Sequence, residues 1–205
     1  MSRVHWCNPM RGGLGAVVDP LTFLIGDSLA VGLGAPLTAE FGGATNFKYA
    51  AKGGTTVAQW LSGSQSGQLT EALKLVPKRV LVSLGTNDTN GKISAEAMKT
   101  QVAALVAKIK AVGAEPIWLM PGKLPWSADQ LVAAVSSAQV RVIDPPADIV
   151  KSDQIHPTGD GYKAWAKKIY AELNTPAPSV STGAKASIAP LAVVAAIVGL
   201  AWWLT

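Results

Sequence analysis

Residues 21–30 read LTFLIGDSLA. The first five are short and continuously apolar, as expected of a strand buried on both faces of a sheet. Gly26-Asp27-Ser28 then breaks the run, and Leu29-Ala30 resumes it. A serine at such a strand-to-helix turn stands near the positive end of the following helix, with its own N–H free. The pattern recurs along the chain. NFKYA (46–50) precedes Gly53-Gly54, and RVLVSL (79–84) precedes Gly85-Thr86-Asn87-Asp88. PIWLM (116–120) precedes Pro121-Gly122, and VRVI (140–143) precedes Asp144-Pro145-Pro146. Each run is read as a doubly buried strand.

Helical patterns separate the last three runs. In residues 94–112, Met98, Val102, Leu105, Val106 and Ile109 recur at helical spacing. Ser94 suits the N-cap and Gly113 the stop. Residues 127–138 form a second such stretch. Strand–helix alternation of this kind predicts an α/β fold with a parallel sheet and right-handed crossovers. Ligands of such sheets bind beyond the carboxyl ends of the strands, where every Gly/Asp/Asn cluster above falls. No internal repeat is visible.

Composition bounds the rest. The 205 residues suffice for one domain and a short appendage, and 49% apolar with 15% charged residues excludes a wholly disordered chain. A single cysteine, Cys7, excludes an intrachain disulfide framework and a cysteine-built zinc site. Two distant histidines and scattered carboxylates lack metal-ligand spacing, so no metal or other cofactor is expected. Gly32-Leu33-Gly34 is too weak to count as a phosphate loop. The net charge of +5 is spread out, without the Lys/Arg run of a nucleic-acid-binding arm.

The chain divides into an N-terminal extension (1–18), a domain (19–173), a flexible linker (174–185) and a hydrophobic segment (186–205). The linker, NTPAPSVSTGAK, is small and polar. The segment after it, ASIAPLAVVAAIVGLAWWLT, carries no charge and lifts the mean hydropathy to +0.27. As a helix it would rise about 30 Å, the thickness of a bilayer core, with Trp202-Trp203 in an interfacial belt. It is therefore read as a transmembrane helix that makes the protein membrane-associated. The alternative is a core helix docked on the domain, against which its lack of a polar face argues. Residues 1–18 lack the apolar core of a signal peptide, and Lys185, the one flanking charge, points to the cytoplasmic side.

A nucleophilic serine needs a base. Of the two histidines, His5 lies in the unpatterned extension and His156 lies in SDQIHPTGDGY (152–162), before the last amphipathic helix. Asp153, three residues upstream, is suited to fixing the imidazole tautomer and stabilising the imidazolium. Asn87 can donate to a developing oxyanion, and a glycine at 53 or 54 lets backbone N–H groups approach a ligand. Taken singly, each is also ordinary turn or cap chemistry.

Together the four loops, GDSLA (26–30), KGGTT (52–56), GTND (85–88) and DQIHP (153–157), resemble the SGNH hydrolase family, also called GDSL lipases and esterases. The resemblance spans almost the whole domain. It implies a flavodoxin-like three-layer α/β/α fold, with Ser28 as nucleophile, His156 as general base and Asp153 as its partner. It further implies an oxyanion hole from the Ser28 N–H, the Gly53 N–H and the Asn87 side chain. Gly54 is the alternative if the loop register is off by one.

The implied activity is two-step hydrolysis of a small, acetyl-like ester through an acyl-enzyme, on a carbohydrate or cell-envelope polymer. The alternatives are a lysophospholipase or thioesterase working at a membrane, and a non-catalytic membrane or virion structural protein. Asp27, Gly54, Lys123 and Trp126 are candidate substrate contacts. Trp126 reads equally as a cap on the next helix, whereas Trp60 and Trp165 read as core.

Overall fold

Alternation along each strand sends successive side chains to opposite faces of a sheet. In the computed structural model, which describes residues 20–175, β1 (Thr22–Gly26) obeys this with all five residues buried. Phe23 and Ile25 join one core, and Leu24 joins the other. Four further parallel strands pair in the order β2-β1-β3-β4-β5: β2 (Phe47–Ala51), β3 (Arg79–Ser83), β4 (Glu115–Leu119) and β5 (Arg141–Ile143).

Helices cover both faces. On one side α2 (Val57–Leu61), α3 (Ser66–Lys74), α5 (Ala95–Ala111) and α6 (Asp129–Ser137) enclose Trp60, Leu69, Leu105, Trp118 and Leu131. On the other, α1 (Ser28–Glu40) and α7 (Gly159–Asn174) enclose Leu33, Leu37, Trp165 and Ile169. One more short helix, α4 (Thr86–Asn90), follows β3 directly. The result is the expected three-layer α/β/α architecture, and Trp60 and Trp165 are core residues.

Two expectations change. The runs at β2 and β5 were read as doubly buried, but they are the edge strands, each with one neighbour. Lys48 and Tyr49 on β2, and Arg141 and Val142 on β5, face solvent, because an edge receives less cover than a centre. The GTND turn coils into α4 rather than staying a plain turn. The helix read at 94–112 forms as α5, with Ser94 Oγ accepting the Ala97 N–H at 3.2 Å and Gly113 at φ +79° just beyond.

The extension 1–18, most of the linker and the apolar segment 186–205 lie outside the described residues. Among the described residues no helix is long and apolar enough to cross a membrane.

Register positions the site. Gly26 pairs with Ala51 on one side and Ser83 on the other, so β1, β2 and β3 end level with one another. The loops that follow therefore leave from one rim. Gly26 also marks the tightest approach there: a Cβ on it would lie 2.3 Å from Ser83 O and 2.6 Å from Ala30 Cβ. Gly26→Ala should destabilise the domain by about 1–3 kcal/mol through overpacking against backbone. Urea unfolding checks this, and an unchanged midpoint would show that the strand ends are not tightly packed.

Candidate active site

Asp27, the residue after β1, caps α1: its Oδ1 accepts the Leu29 N–H at 3.0 Å. Ser28 is thereby the first residue of α1, and its N–H is one of those that helix geometry leaves without an intrahelical acceptor. From the far side of the sequence, the loop before α7 brings His156 to the serine. Its Nε2 lies 2.9 Å from Ser28 Oγ, and its Nδ1 lies 2.9 Å from Asp153 Oδ2.

The loop shapes itself locally. Asp153 Oδ1 accepts the backbone N–H groups of both Ile155 and His156 at 2.6 Å. Those backbone bonds, and the imidazole bonded to Oδ2, pull the Asp153 carboxyl down to about 2. It is ionised at neutral pH and can only accept, so Nδ1 carries the imidazole proton and Nε2 is left to accept from the Ser28 hydroxyl. The side chains of His156 and Asp153 remain 34% and 55% exposed. This half of the site is organised by its own backbone, not by burial.

The other half leans on buried Asp27, Thr55 and Asp88, although Gly53 and Gly54 are exposed and Ser28 and Asn87 half-buried. Gly53 stands beside the serine, since a Cβ on it would lie 3.7 Å from Ser28 Cβ. Gly54, at φ +77° with open space around it, supplies the left-handed turn that glycine adopts without strain. Asn87, on α4, donates its side-chain Nδ2 to Thr55 O at 2.9 Å and to Asp27 Oδ2 at 3.3 Å. Thr55 is held in turn by Lys52 O and by the Trp60 indole. Both oxygens of Asp88 accept the Val57 N–H at 3.2 Å, tying the start of α2 to α4. The three loops that leave the rim are thus bonded to one another.

Asp27 departs from expectation. A substrate contact is closed to it, because the side chain is fully buried and its oxygens are turned to Leu29 and Asn87. Lys123 is exposed on the loop after β4, and its carbonyl accepts a bond from Lys151 Nζ. With Pro121, Pro145, Lys151 and Gln154 it lines a cleft of about 720 Å³ beyond β4 and β5. Trp126 is half-buried and donates its indole N–H to Thr89 Oγ1 at 3.0 Å, which pins its loop to α4.

Two site features had no signal in the sequence. Asp88 read as a turn residue, although it anchors α2. Tyr162, in the first turn of α7, lays its ring over Gly32, where a Cβ would fall 2.1 Å from the ring. Burial, then the charges of Asp27 and Asp153, push its phenol up to about 12. Gly32 and Gly34 make room for the rings of Tyr162 and Tyr49, which a pattern search for phosphate loops does not detect.

Asp88→Ala should leave the buried Val57 N–H without an acceptor, costing about 1–3 kcal/mol. Amide hydrogen exchange at Val57 should accelerate by more than at residues of α7. Equal acceleration at both would mean global loosening, with no special tie at the rim.

With this geometry in hand, comparison with known proteins is informative. The family model for GDSL-like lipases and acylhydrolases matches residues 24–164, more than half of the chain. Among solved structures, a GDSL-like lipase from Bacteroides thetaiotaomicron is similar at 18% identity and a TM-score of 0.56, covering 75% of this chain and 89% of its own. The psychrotrophic esterase EstA from a Pseudoalteromonas species is similar at 16% identity and 0.59, covering 76% and 97%. The acetyl xylan esterase AlAXEase is similar at 15% identity and 0.60, covering 75% and 100%. At such identities these structures speak for the fold. No curated protein sequence matches the chain. On the extent of the family match, the chain belongs to the GDSL-like lipase/acylhydrolase family of ester hydrolases.

Proposed function

We propose that the protein is a serine esterase that removes small, acetyl-like acyl groups from a carbohydrate or cell-envelope polymer. The observation that carries this reading is the unbroken chain of hydrogen bonds from Asp153 through His156 to Ser28. Ser28 Oγ attacks the ester carbonyl as His156 Nε2 takes its proton, and the imidazolium that forms is held by ionised Asp153. His156 then protonates the departing alcohol. Water, deprotonated by the same nitrogen, releases the acid. The oxyanion is met by the Ser28 N–H at the start of α1, the Gly53 N–H and the Asn87 amide. Asn87 Nδ2 is held by Thr55 O and Asp27 Oδ2 before substrate arrives, and would exchange one of these bonds for the oxyanion.

The substrate class rests on the surroundings. The cleft beyond β4 and β5 offers proline walls, Lys123, Lys151 and Gln154 to a polar leaving group such as a hydroxyl-rich or anionic polymer. The Tyr162 ring packs against Gly32, one helical turn beyond Ser28. The likeness to an acetyl xylan esterase points the same way. A lipid-directed esterase is the second reading. It is favoured by Val31, 51% exposed and three residues beyond Ser28, and by Val150, 65% exposed on the loop before Asp153.

Two measurements test these readings. Nitrophenyl acetate hydrolysis should vanish in Ser28→Ala and fall about 10²–10³-fold in kcat for Asn87→Ala. Activity that survives Ser28→Ala would remove the serine mechanism, and near-normal turnover in Asn87→Ala would remove that side chain from the oxyanion hole. Wild-type protein should also prefer the acetyl to the octanoyl nitrophenyl ester in kcat/KM. The reverse order would select the lipid-directed reading.

A further inference from the structure

The triad occupies one rim of the sheet and leaves the flank formed by β2 unused. Among the described residues β2 pairs with β1 alone. Thr22 donates its N–H to Asn46 O at 2.9 Å, and Lys52 donates its N–H to Gly26 O at 3.0 Å. In a parallel ladder the residues that bond to a neighbour alternate along the strand, so Asn46, Lys48, Ala50 and Lys52 face β1. The N–H and C=O groups of Tyr49 and Ala51 therefore point outward, a template for a further strand.

A cleft lies on each face beside this edge. On the α1 side, Ala35, Thr38, Phe47 and Tyr49 line one of about 600 Å³. The rings of Phe41 and Phe47 stack there at 5.2 Å and those of Phe47 and Tyr49 at 6.3 Å. The row ends at Tyr49, which is 47% exposed. On the α3 side, Ala50, Gly67, Glu71 and Leu75 line a cleft of about 670 Å³, and Leu75 is 43% exposed. An aromatic and an aliphatic side chain thus meet water on opposite faces of the same edge.

We infer that this edge receives a second copy of this chain, β2 against β2, antiparallel and centred on Tyr49. Charge selects the register. Lys48 is the one charged residue of β2. A pairing centred on Lys48 would set it against the partner's Lys48, and one centred on Ala50 would set it against the partner's Lys52. Like charges directly opposite are destabilising. Centred on Tyr49, the outward N–H and C=O groups of the two tyrosines bond to each other, and all five residues of each strand are paired.

Lys48 then lies opposite the partner's Ala50, at the closer, non-hydrogen-bonded spacing, beside the cleft that the partner's Glu71 lines. Glu71 bonds Lys74 through Oε1 at 2.7 Å, which leaves Oε2 to accept from Lys48. The dyad repeats this contact. On the other face Tyr49 meets the partner's Tyr49 and extends the row of rings. Charge also selects the occupant. Residues 1–18 and 176–205 contain no Asp or Glu, so neither segment of the chain itself can answer Lys48. A self-complementary contact of this kind closes at two copies.

The test measures the mass of the full chain by light scattering at micromolar concentration in a mild non-ionic detergent. Wild type should have twice the 21.2 kDa of one chain. Lys48→Glu sets like charges together at both symmetric contacts and should weaken the dimer about 100-fold or more. Glu71→Lys should do the same, whereas both substitutions in one chain restore opposite charges and should recover the dimer. The Tyr49 amide should exchange its hydrogen slowly in wild type and fast in Lys48→Glu. A monomeric wild type, a Lys48→Glu chain that stays dimeric, or a folded double variant that stays monomeric would overturn the inference. A monomer with a protected Tyr49 amide would seat another segment of the same chain on the edge. A monomer with a fast-exchanging one would leave the edge to a different protein.

Discussion

The site depends on parallel strands that end level. Because Gly26 is paired with both Ala51 and Ser83, the residues that follow β1, β2 and β3 enter the rim at one height. A slip of one residue would shift a strand by about 3.3 Å and turn its side chains to the opposite core. Such a slip is opposed by two packed cores, with Phe23 and Ile25 committed to one and Leu24 to the other. The alignment of Ser28, Gly53 and Asn87 is thus paid for by hydrophobic burial well below the rim.

Once level, the loops are joined by polar groups that burial makes demanding. Asn87 bonds to Thr55 and Asp27, Asp88 to Val57, and Trp126 to Thr89. In a low-dielectric setting an unpaired member of such a network is expensive, so each contact restrains its neighbours. The opposite half of the site works differently. Asp153 and His156 keep much of their surface in water, and their geometry comes from backbone bonds inside one short loop. Loops braced by buried Asp27, Thr55 and Asp88 therefore face a locally folded loop whose histidine and aspartate stay open to solvent.

Family membership settles the kind of chemistry and leaves the substrate to the loops, since one fold carries many specificities. The loops after β4 and β5 line a cleft that also includes Gln154. They are tied together by Lys151, whose ammonium reaches the carbonyls of Lys123 and Gln154. Partial burial lowers the Lys151 ammonium below its usual range. Gln154 lines the cleft, and its neighbour Asp153 bonds the His156 ring.

Much of this was legible in the order of the residues. Strands β1, β3 and β4, the limits of α5 at Ser94 and Gly113, and the motif loops at 26–30, 52–56, 85–88 and 153–157 all follow from interactions between near neighbours. Apolar period, caps and turns act over a few residues, so a linear reading captures them. What the linear reading missed acts at long range. It did not show that β2 and β5 are edges, that Gly32 and Gly34 exist to admit two tyrosine rings, or that Asp88 anchors a helix 31 residues away. It took Asp27 for a substrate contact, because burial and a partner 60 residues distant leave no trace in the local pattern. The chain's sequence determined which groups are present and which turns they occupy. Only tertiary packing decided which of them lose their water, and loss of water is what pushes the N-cap carboxyl of Asp27 above the usual carboxylate range.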